Sequence, residues 1–209
     1  LIAIILGVIG LTLFSVRQTK LEKPMINLQI LKYPMFVIGL LSVLIAFMCI
    51  LSTMILLPMY LQTTLALATF TAGLLLLPGG LINGFLAPIV GRLFDKYGAR
   101  VLVIPGFLII IITYIFFMQI DESTSKLQIV VLHSVLMIGV SLVMSPAQTN
   151  GLNQLPRELY PDGTALMNTL QQVSGAIGTA IAITIMASAQ ESYLIDHPNA
   201  NMLDGFIHG

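Results

Sequence analysis

Long apolar runs separated by short polar segments dominate the sequence. After an apolar stretch from Leu1 to Val16, five longer runs cover residues 35–60, 71–94, 101–120, 127–150 and 163–190. At about 1.5 Å per residue, each of the five is long enough to cross about 30 Å of hydrocarbon as a helix. Strands are excluded for most of these runs, because an open sheet leaves backbone groups unpaired in lipid and no period-2 alternation indicates a barrel. The pattern predicts an all-α, polytopic transmembrane helical bundle.

The polar segments between the runs predict loops at Arg17–Tyr33, Leu61–Phe70, Asp95–Arg100, Asp121–Lys126 and Gln154–Asp162. If the chain threads the membrane in alternation, eight of the nine Lys and Arg residues fall on one side: Arg17, Lys20, Lys23, Lys32, Arg92, Lys96, Arg100 and Arg157. Only Lys126 falls on the other side. Since cytoplasmic loops hold the excess of Lys and Arg, we expect loop 95–100 to be cytoplasmic and loop 121–126 to be extracellular.

Composition supports a membrane class and excludes several others. Hydrophobic residues make up 57% of the 209 positions and charged residues only 9%, whereas a soluble domain carries about a quarter charged residues. A net charge of zero, with no basic cluster interleaved with aromatics, excludes a nucleic-acid surface. The lone cysteine, Cys49, cannot build a disulfide framework or a thiolate metal site within the chain. We find no zinc-protease helix, nucleophile elbow or phosphate loop, so we expect neither an enzyme nor a bound metal or cofactor.

One charged segment carries a recognisable pattern, Gly91-Arg92-Leu93-Phe94-Asp95-Lys96-Tyr97-Gly98-Ala99-Arg100. Gly91 allows two helices to approach, and Gly98 allows the positive φ of a tight turn. Asp95 can pair with Arg92 or Arg100, or accept hydrogen bonds from a neighbouring helix N-terminus, as a latch between conformations. The alternative is a charged loop that only sets topology.

This segment resembles the cytoplasmic loop signature of the major facilitator superfamily, with Ala99 replacing a basic residue of the pattern. The resemblance implies that Gly91, Arg92, Asp95, Lys96, Gly98 and Arg100 form a gating latch. A second stretch, Ser145–Pro156 and Gly163–Ala180, is similar to the closing region of fourteen-helix drug:H+ antiporters of the multidrug or lincomycin type. It departs from them at Gln171-Gln172, where those proteins usually have Arg-Gln.

By this resemblance the chain is an incomplete C-terminal domain of the major facilitator fold. Residues 1–34 are then the end of a linker helix, the eighth span, with a cytoplasmic loop, and residues 35–209 hold spans nine to thirteen of the transporter domain. We expect the fourteenth span and the amino-terminal half to be missing. The resemblance implies that the protein crosses the bacterial cell membrane several times. The lipid bilayer and the missing half of the transporter are then its partners.

The implied function is proton-coupled export of amphipathic drugs or toxic small molecules by alternating access, driven by the proton motive force. A carrier for a specific metabolite is the alternative, because a gating signature does not report the cargo. A membrane enzyme and a helical scaffold or receptor without transport are further alternatives. In the family the cavity is lined by the counterparts of spans 35–60, 71–94, 127–150 and 163–190, and span 101–120 is peripheral.

Four amides are the candidate substrate-cavity residues: Asn83, Gln148, Asn168 and Gln172. Asn168 and Gln172 are four residues apart and share a helix face, although buried amides also bond simply to neighbouring helices. His133 is the ionisable residue well inside a span and is the candidate proton site. Its simpler role is a hydrogen bond across the bundle or to interfacial water.

Three further features predict helix structure. Small residues at four-residue spacing, Ser174/Gly178/Ala182 and Gly175/Thr179, should let another helix backbone approach the last span. Prolines within the spans should kink or loosen them: Pro58, Pro78, Pro88, Pro105 and Pro146. Asp162 should be the N-cap of the last span, with Pro161 ending the loop before it.

Overall fold

The computed structural model describes residues 27–120 and 124–196 together with Gly7 and Gly10. These residues form five long helices, which we number α1 (Pro34–Thr63), α2 (Thr69–Tyr97), α3 (Arg100–Phe117), α4 (Lys126–Asn153) and α5 (Tyr160–Asp196). Short 3₁₀ turns precede α1 at Leu28–Lys32 and α5 at Arg157–Leu159. No strand occurs in the described ranges, and five helices are long and apolar enough to cross a membrane. The predicted all-α bundle and its five spans are confirmed.

Helix ends differ from the predicted ends in several places. The predicted loop Asp95–Arg100 is wrong, because α2 continues to Tyr97 and α3 begins at Arg100. Only two residues, Gly98 and Ala99, separate these helices, so most of the charged segment is helical. The span predicted at 101–120 ends earlier, at Phe117.

The predicted N-cap at Asp162 is also wrong, since α5 begins at Tyr160 and Asp162 lies in its first turn. Proline is tolerated in a first helical turn, where its missing N–H costs no helical hydrogen bond, so Pro161 does not end the loop. An acid there is favoured by the positive end of the helix dipole. Apart from Gly7 and Gly10, the apolar stretch Leu1–Val16 lies outside the described residues, as do the basic residues 17–23 and the segments 121–123 and 197–209.

Helix α4 is the centre of the bundle, since it packs against α1, α2 and α3, while α5 packs chiefly against α1. At the α1–α4 crossing backbone meets backbone, because a Cβ built on Gly39 would lie 2.7 Å from the carbonyl oxygen of Ala147 and 2.9 Å from Cα of Gly151. At the α3–α4 crossing, a Cβ on Gly106 would lie 3.0 Å from the carbonyl oxygen of Gly139. Glycine therefore sets how closely these helices meet.

The predicted small-residue face of the last span is confirmed. A Cβ on Gly178 would lie 2.9 Å from both Cα and Cβ of Met48 in α1, and one on Gly175 would collide with Leu51. Ser174, in the same turn as Gly175, is buried. Helix α5 thus uses its glycines to pack on α1, as small residues do between helices in lipid.

Three apolar clusters fill the bundle from one end to the other. The cluster near the start of α1 joins α1, α4 and α5 around Phe36, Leu40 and Met167. A middle cluster joins α1, α3 and α4, and a third joins α1, α2 and α4 near the end of α1. Many large apolar side chains remain on the outer surface, among them Phe70 and Phe85, as expected where a bundle faces hydrocarbon rather than water. The helices continue through all five prolines named above.

We predict that Gly39→Ala destabilises the protein by about 1–3 kcal/mol, because the added methyl group would overpack backbone atoms of α4 that have no side-chain freedom to yield. Reversible unfolding in mixed detergent micelles, followed by circular dichroism, measures the change. Gly84→Ala is the matched control, since nothing lies within 4 Å of a Cβ at Gly84. Equal stability of the two variants would contradict the conclusion that backbone atoms of α4 limit how closely α1 approaches at Gly39.

Candidate functional site

A cavity of about 330 Å³ opens between α1, α2 and α4 in the middle of the bundle. Its volume falls in the range of small-molecule sites, about 300–1,000 Å³. The lining residues come from one face of each helix and are mostly apolar: Ile50, Met54, Gly80, Asn83, Ala87, Met137, Val140, Ser141, Met144 and Ser145. Neither α3 nor α5 contributes to this lining.

The polar groups of the cavity come from α2 and α4. Asn83 is half-buried, and its Nδ2 donates a hydrogen bond to the backbone carbonyl of Met137 at 3.4 Å. Ser141 is only 7% exposed, and its Oγ has no hydrogen-bond partner among the described residues. An unpaired buried hydroxyl is unfavourable by about 1–3 kcal/mol. The Ser141 hydroxyl is therefore an unsatisfied polar group among the lining residues.

Three methionines also line the cavity: Met54, Met137 and Met144. The thioether side chain is flexible and polarisable, so it adapts to apolar groups of different shape. The sequence gives eleven methionines without distinguishing these three. Only the packing of α1 against α4 brings them together.

Of the four amides proposed from the sequence, the structure places one, Asn83, in the cavity lining. Gln148 is half-buried on α4, one turn beyond Ser145, and is not a lining residue. Asn168 and Gln172 are exposed on α5. The structure therefore does not bring all four amides together, and the cavity roles of the other three stay predictions.

The sequence reasoning missed Ser141 and Ser145, although a signal was present. The two serines are four residues apart in an apolar run and so share a helix face. The same spacing relates Met137 to Ser141, which extends the face by another turn. Polar residues repeated every four positions inside a span mark a helix face that does not point to lipid.

His133 lies on α4 and packs directly against the backbone of Gly79 in α2, with its ring next to the space that a Cβ would occupy. The side chain is 7% exposed, and Nδ1 has no hydrogen-bond partner within the described part of the chain. Nδ1 therefore does not make the hydrogen bond across the bundle that was the simpler role predicted for His133. His133 is not a lining residue of the cavity.

The charged segment forms the last turns of α2 and the short link to α3. Gly98 has φ +77°, and its N–H donates to the carbonyl of Phe94 at 2.8 Å, which ends α2. The predicted positive φ at Gly98 is confirmed. Lys96 lies on the adjacent Tyr97 ring, with Nζ 5.1 Å from the ring centroid.

The predicted latch contacts are not formed in this conformation. Arg92, Asp95 and Arg100 are all exposed, and within 27–120 and 124–196 no hydrogen bond or ion pair joins Asp95 to either arginine. Exposed ion pairs contribute only about 0–1 kcal/mol and are readily replaced by hydration. A Cβ on Gly91 would have nothing within 4 Å, so no described helix approaches at Gly91.

The described residues contain no group of three His, Cys, Asp or Glu side chains arranged to hold a metal ion. The polar groups at the cavity are amide and hydroxyl groups, and none of its lining residues is charged. Such a lining can bind a small molecule through apolar contact and a few hydrogen bonds.

The sequence profile described as Major Facilitator Superfamily matches residues 1–179 of this chain. The chain is 64% identical over 194 residues to the lincomycin resistance protein LmrB of Listeria innocua, a match that covers 93% of this chain and 41% of the relative. It is 57% identical over 194 residues to LmrB of Bacillus subtilis, covering 93% and 40%. It is 25% identical over 189 residues to the probable multidrug resistance protein EmrY of Escherichia coli, covering 88% and 36%. The chain thus spans about two-fifths of the length of these relatives.

Proposed function

The chain belongs to the major facilitator superfamily, and we propose that it forms part of a proton-coupled secondary transporter that exports amphipathic drugs or toxic small molecules by alternating access. The observation that carries the proposal is the cavity inside the bundle, which holds an unpaired buried hydroxyl at Ser141 and a methionine-rich wall. The similarity to proteins named for lincomycin resistance and multidrug resistance supports a drug as the cargo.

The chemistry of the cavity fits an amphipathic cargo. Apolar side chains of α1 and α4 would take up the hydrophobic part, and the methionines would adapt to its shape. Asn83 and Ser141 would bind one or two polar atoms of the cargo. Since no lining residue is charged, removing water from the site costs little free energy. Recognition of the cargo then depends on its shape and on hydrogen bonding.

The exposed amides of α5 extend this proposal to the whole transporter. Asn168 and Gln172 are both exposed on α5. We place them against the other half of the transporter, where they add polar groups to the cavity wall. This placement is supported by their shared face and by their exposure, because polar amides facing hydrocarbon are unfavourable.

The orientation in the membrane is part of the same proposal. Among the described residues, Lys32, Arg92, Lys96, Arg100 and Arg157 lie at the end of the bundle where α1, α3 and α5 begin, and Lys126 lies at the other end. The excess of basic residues favours a cytoplasmic location for the Gly98–Ala99 link and for residues 95–100. The segment 121–126 is then extracellular.

Ser141→Val should raise the KM for efflux of lincomycin or a fluorescent dye about fivefold, because the variant loses one hydrogen bond to the cargo. Efflux is measured in cells that express the complete protein, with and without a proton uncoupler. Ser42→Ala is the control, since its hydroxyl donates to the carbonyl of Ile38 on an exposed part of α1. An unchanged KM in Ser141→Val would show that Ser141 does not bind the cargo. Absence of drug efflux in the unmodified protein would instead favour a carrier for a metabolite.

Asp95→Asn should slow efflux about tenfold at normal membrane expression, because we propose that Asp95 forms charge-assisted hydrogen bonds to Arg92 or Arg100 in another conformation of the cycle. The measurement is the initial rate of dye efflux. Asp162→Asn, which removes an acid in the first turn of α5 at the same end of the bundle, is the matched control. Equal rates in Asp95→Asn and the unmodified protein would leave the segment with a topological role only.

His133→Gln should abolish the dependence of uphill efflux on the pH gradient while downhill exchange of cargo continues, because we propose that His133 carries the coupled proton. Glutamine keeps hydrogen-bonding capacity but does not titrate, so the two readouts separate coupling from folding. Intact pH-driven efflux in this variant would end the role of His133 as the proton site.

A further inference from the structure

The ring of His133 lies between α4 and α2 inside the bundle. It occupies the space in which a Cβ on Gly79 would stand, so the ring meets the backbone of α2 directly. Gly79 is buried, and His133 is only 7% exposed. The contact is therefore internal to the described helices and does not depend on what covers their outer faces.

Met137 connects this contact to the cavity between α1, α2 and α4. It follows His133 by about one turn of α4 and is 6% exposed. Its Cγ would lie 3.2 Å from a Cβ on Gly79, and the same side chain lines the cavity. Met137 thus stands beside the backbone of α2 and forms part of the cavity wall at the same time.

Helix α2 forms another wall of the cavity, beginning at the residue after Gly79. Gly80 and Asn83 are both lining residues. Asn83 also donates a hydrogen bond to the carbonyl of Met137 at 3.4 Å, which ties this turn of α2 to the turn of α4 that follows His133. A shift of α2 at Gly79 would therefore move the wall that carries Gly80 and Asn83.

The backbone of α2 is weakened at this point. Pro78 lies inside the helix and has no N–H, so the carbonyl of Leu74 lacks its helical hydrogen bond. Two glycines follow directly, and proline and glycine pairs are the usual places where helices bend. The position of α2 is thus more easily changed here than in an uninterrupted helix, and the group that stands against it is the His133 ring.

We propose that the His133 ring is a spacer that holds α2 away from α4 and so sets the width of the cavity beside Ser141. His133 is then a positioning residue that determines how bulky a cargo the cavity admits. This inference rests on the proposed function, because that proposal places the cargo in this cavity. The spacer role requires only the shape of the ring and not its titration, so it is separate from the proton role proposed above.

The test compares the binding of two dyes, the methyl ester of tetramethylrhodamine and its bulkier benzyl ester, to the complete protein in detergent micelles. The dyes share a ring system and a positive charge, so the ratio of their dissociation constants, measured by fluorescence polarisation, reports size selectivity. His133→Ala should let α2 move toward α4 and weaken binding of the benzyl ester about tenfold relative to the methyl ester. Binding needs no proton gradient, so this result does not depend on coupling.

A substitution on the other side of the contact should have the opposite effect. Gly79→Ala should push α2 outward and shift the ratio in favour of the benzyl ester, because the new methyl group would collide with the buried ring. In the double variant Gly79→Ala/His133→Ala the methyl group fills part of the space left by the ring, so the ratio should return toward that of the unmodified protein. Gly73→Ala is the control, since nothing lies within 4 Å of a Cβ at Gly73.

His133→Phe separates the spacer from the proton site. Phenylalanine keeps a flat ring but does not titrate, so the ratio of dissociation constants should stay close to that of the unmodified protein, while pH-driven efflux is lost under the proposed proton role.

The spacer would be refuted by a ratio that is unchanged in both His133→Ala and Gly79→Ala, or by a double variant that departs further than either single one. Should His133→Ala fail to fold, Gly79→Ala and the double variant still decide, because the spacer requires their ratios to differ. If neither dye binds to the unmodified protein, the proposed cargo site is overturned together with the spacer. Binding of both dyes with an unchanged ratio in the variants overturns the spacer alone.

Discussion

The arrangement of the bundle depends on how closely the other helices can approach α4. In hydrocarbon, apolar side chains gain nothing from leaving the solvent, so helix association depends on van der Waals packing and a few hydrogen bonds. Glycine maximises this packing at Gly39 and Gly151 between α1 and α4, and at Gly106 and Gly139 between α3 and α4. At Gly79 in α2 the approaching group is the His133 ring. These contacts fix α1, α2 and α3 around one helix.

Two cavities remain in the bundle, one beside Ser141 and one beside Thr53. The middle cluster joins α1, α3 and α4 at Ala46, Ile110 and Val143. The cavity beside Ser141 lies at the level of this cluster, since Met137 and Val140 belong both to the cluster and to the cavity lining. The two differ in chemistry, since the Ser141 hydroxyl has no partner in the described ranges while the Thr53 hydroxyl is hydrogen-bonded to that of Tyr114 at 2.6 Å.

The sequence predicted the number of spans, their all-helical nature and the close approach at Gly175 and Gly178, because apolar length and small-residue spacing are local properties. It was less accurate where the result depends on tertiary structure. Asp95 was expected in a loop. Helix α2 instead continues until the positive φ of Gly98 ends it, so Asp95 lies within the helix. Ser141 was missed because a serine inside an apolar run becomes a site residue only through what α1 and α2 place opposite it. Asn83 was identified because an amide is conspicuous in a span.

Two buried polar groups of α4 are left without a hydrogen-bond partner among the described residues. Ser141 Oγ and His133 Nδ1 are both buried on α4 without a partner among the described residues, and each is unfavourable by about 1–3 kcal/mol. Under the proposed function, a cargo would supply the partner of Ser141 and the coupled proton would bind at His133. Since both groups are on the helix that contacts α1, α2 and α3, a change at either one acts directly on the crossings that hold the bundle together.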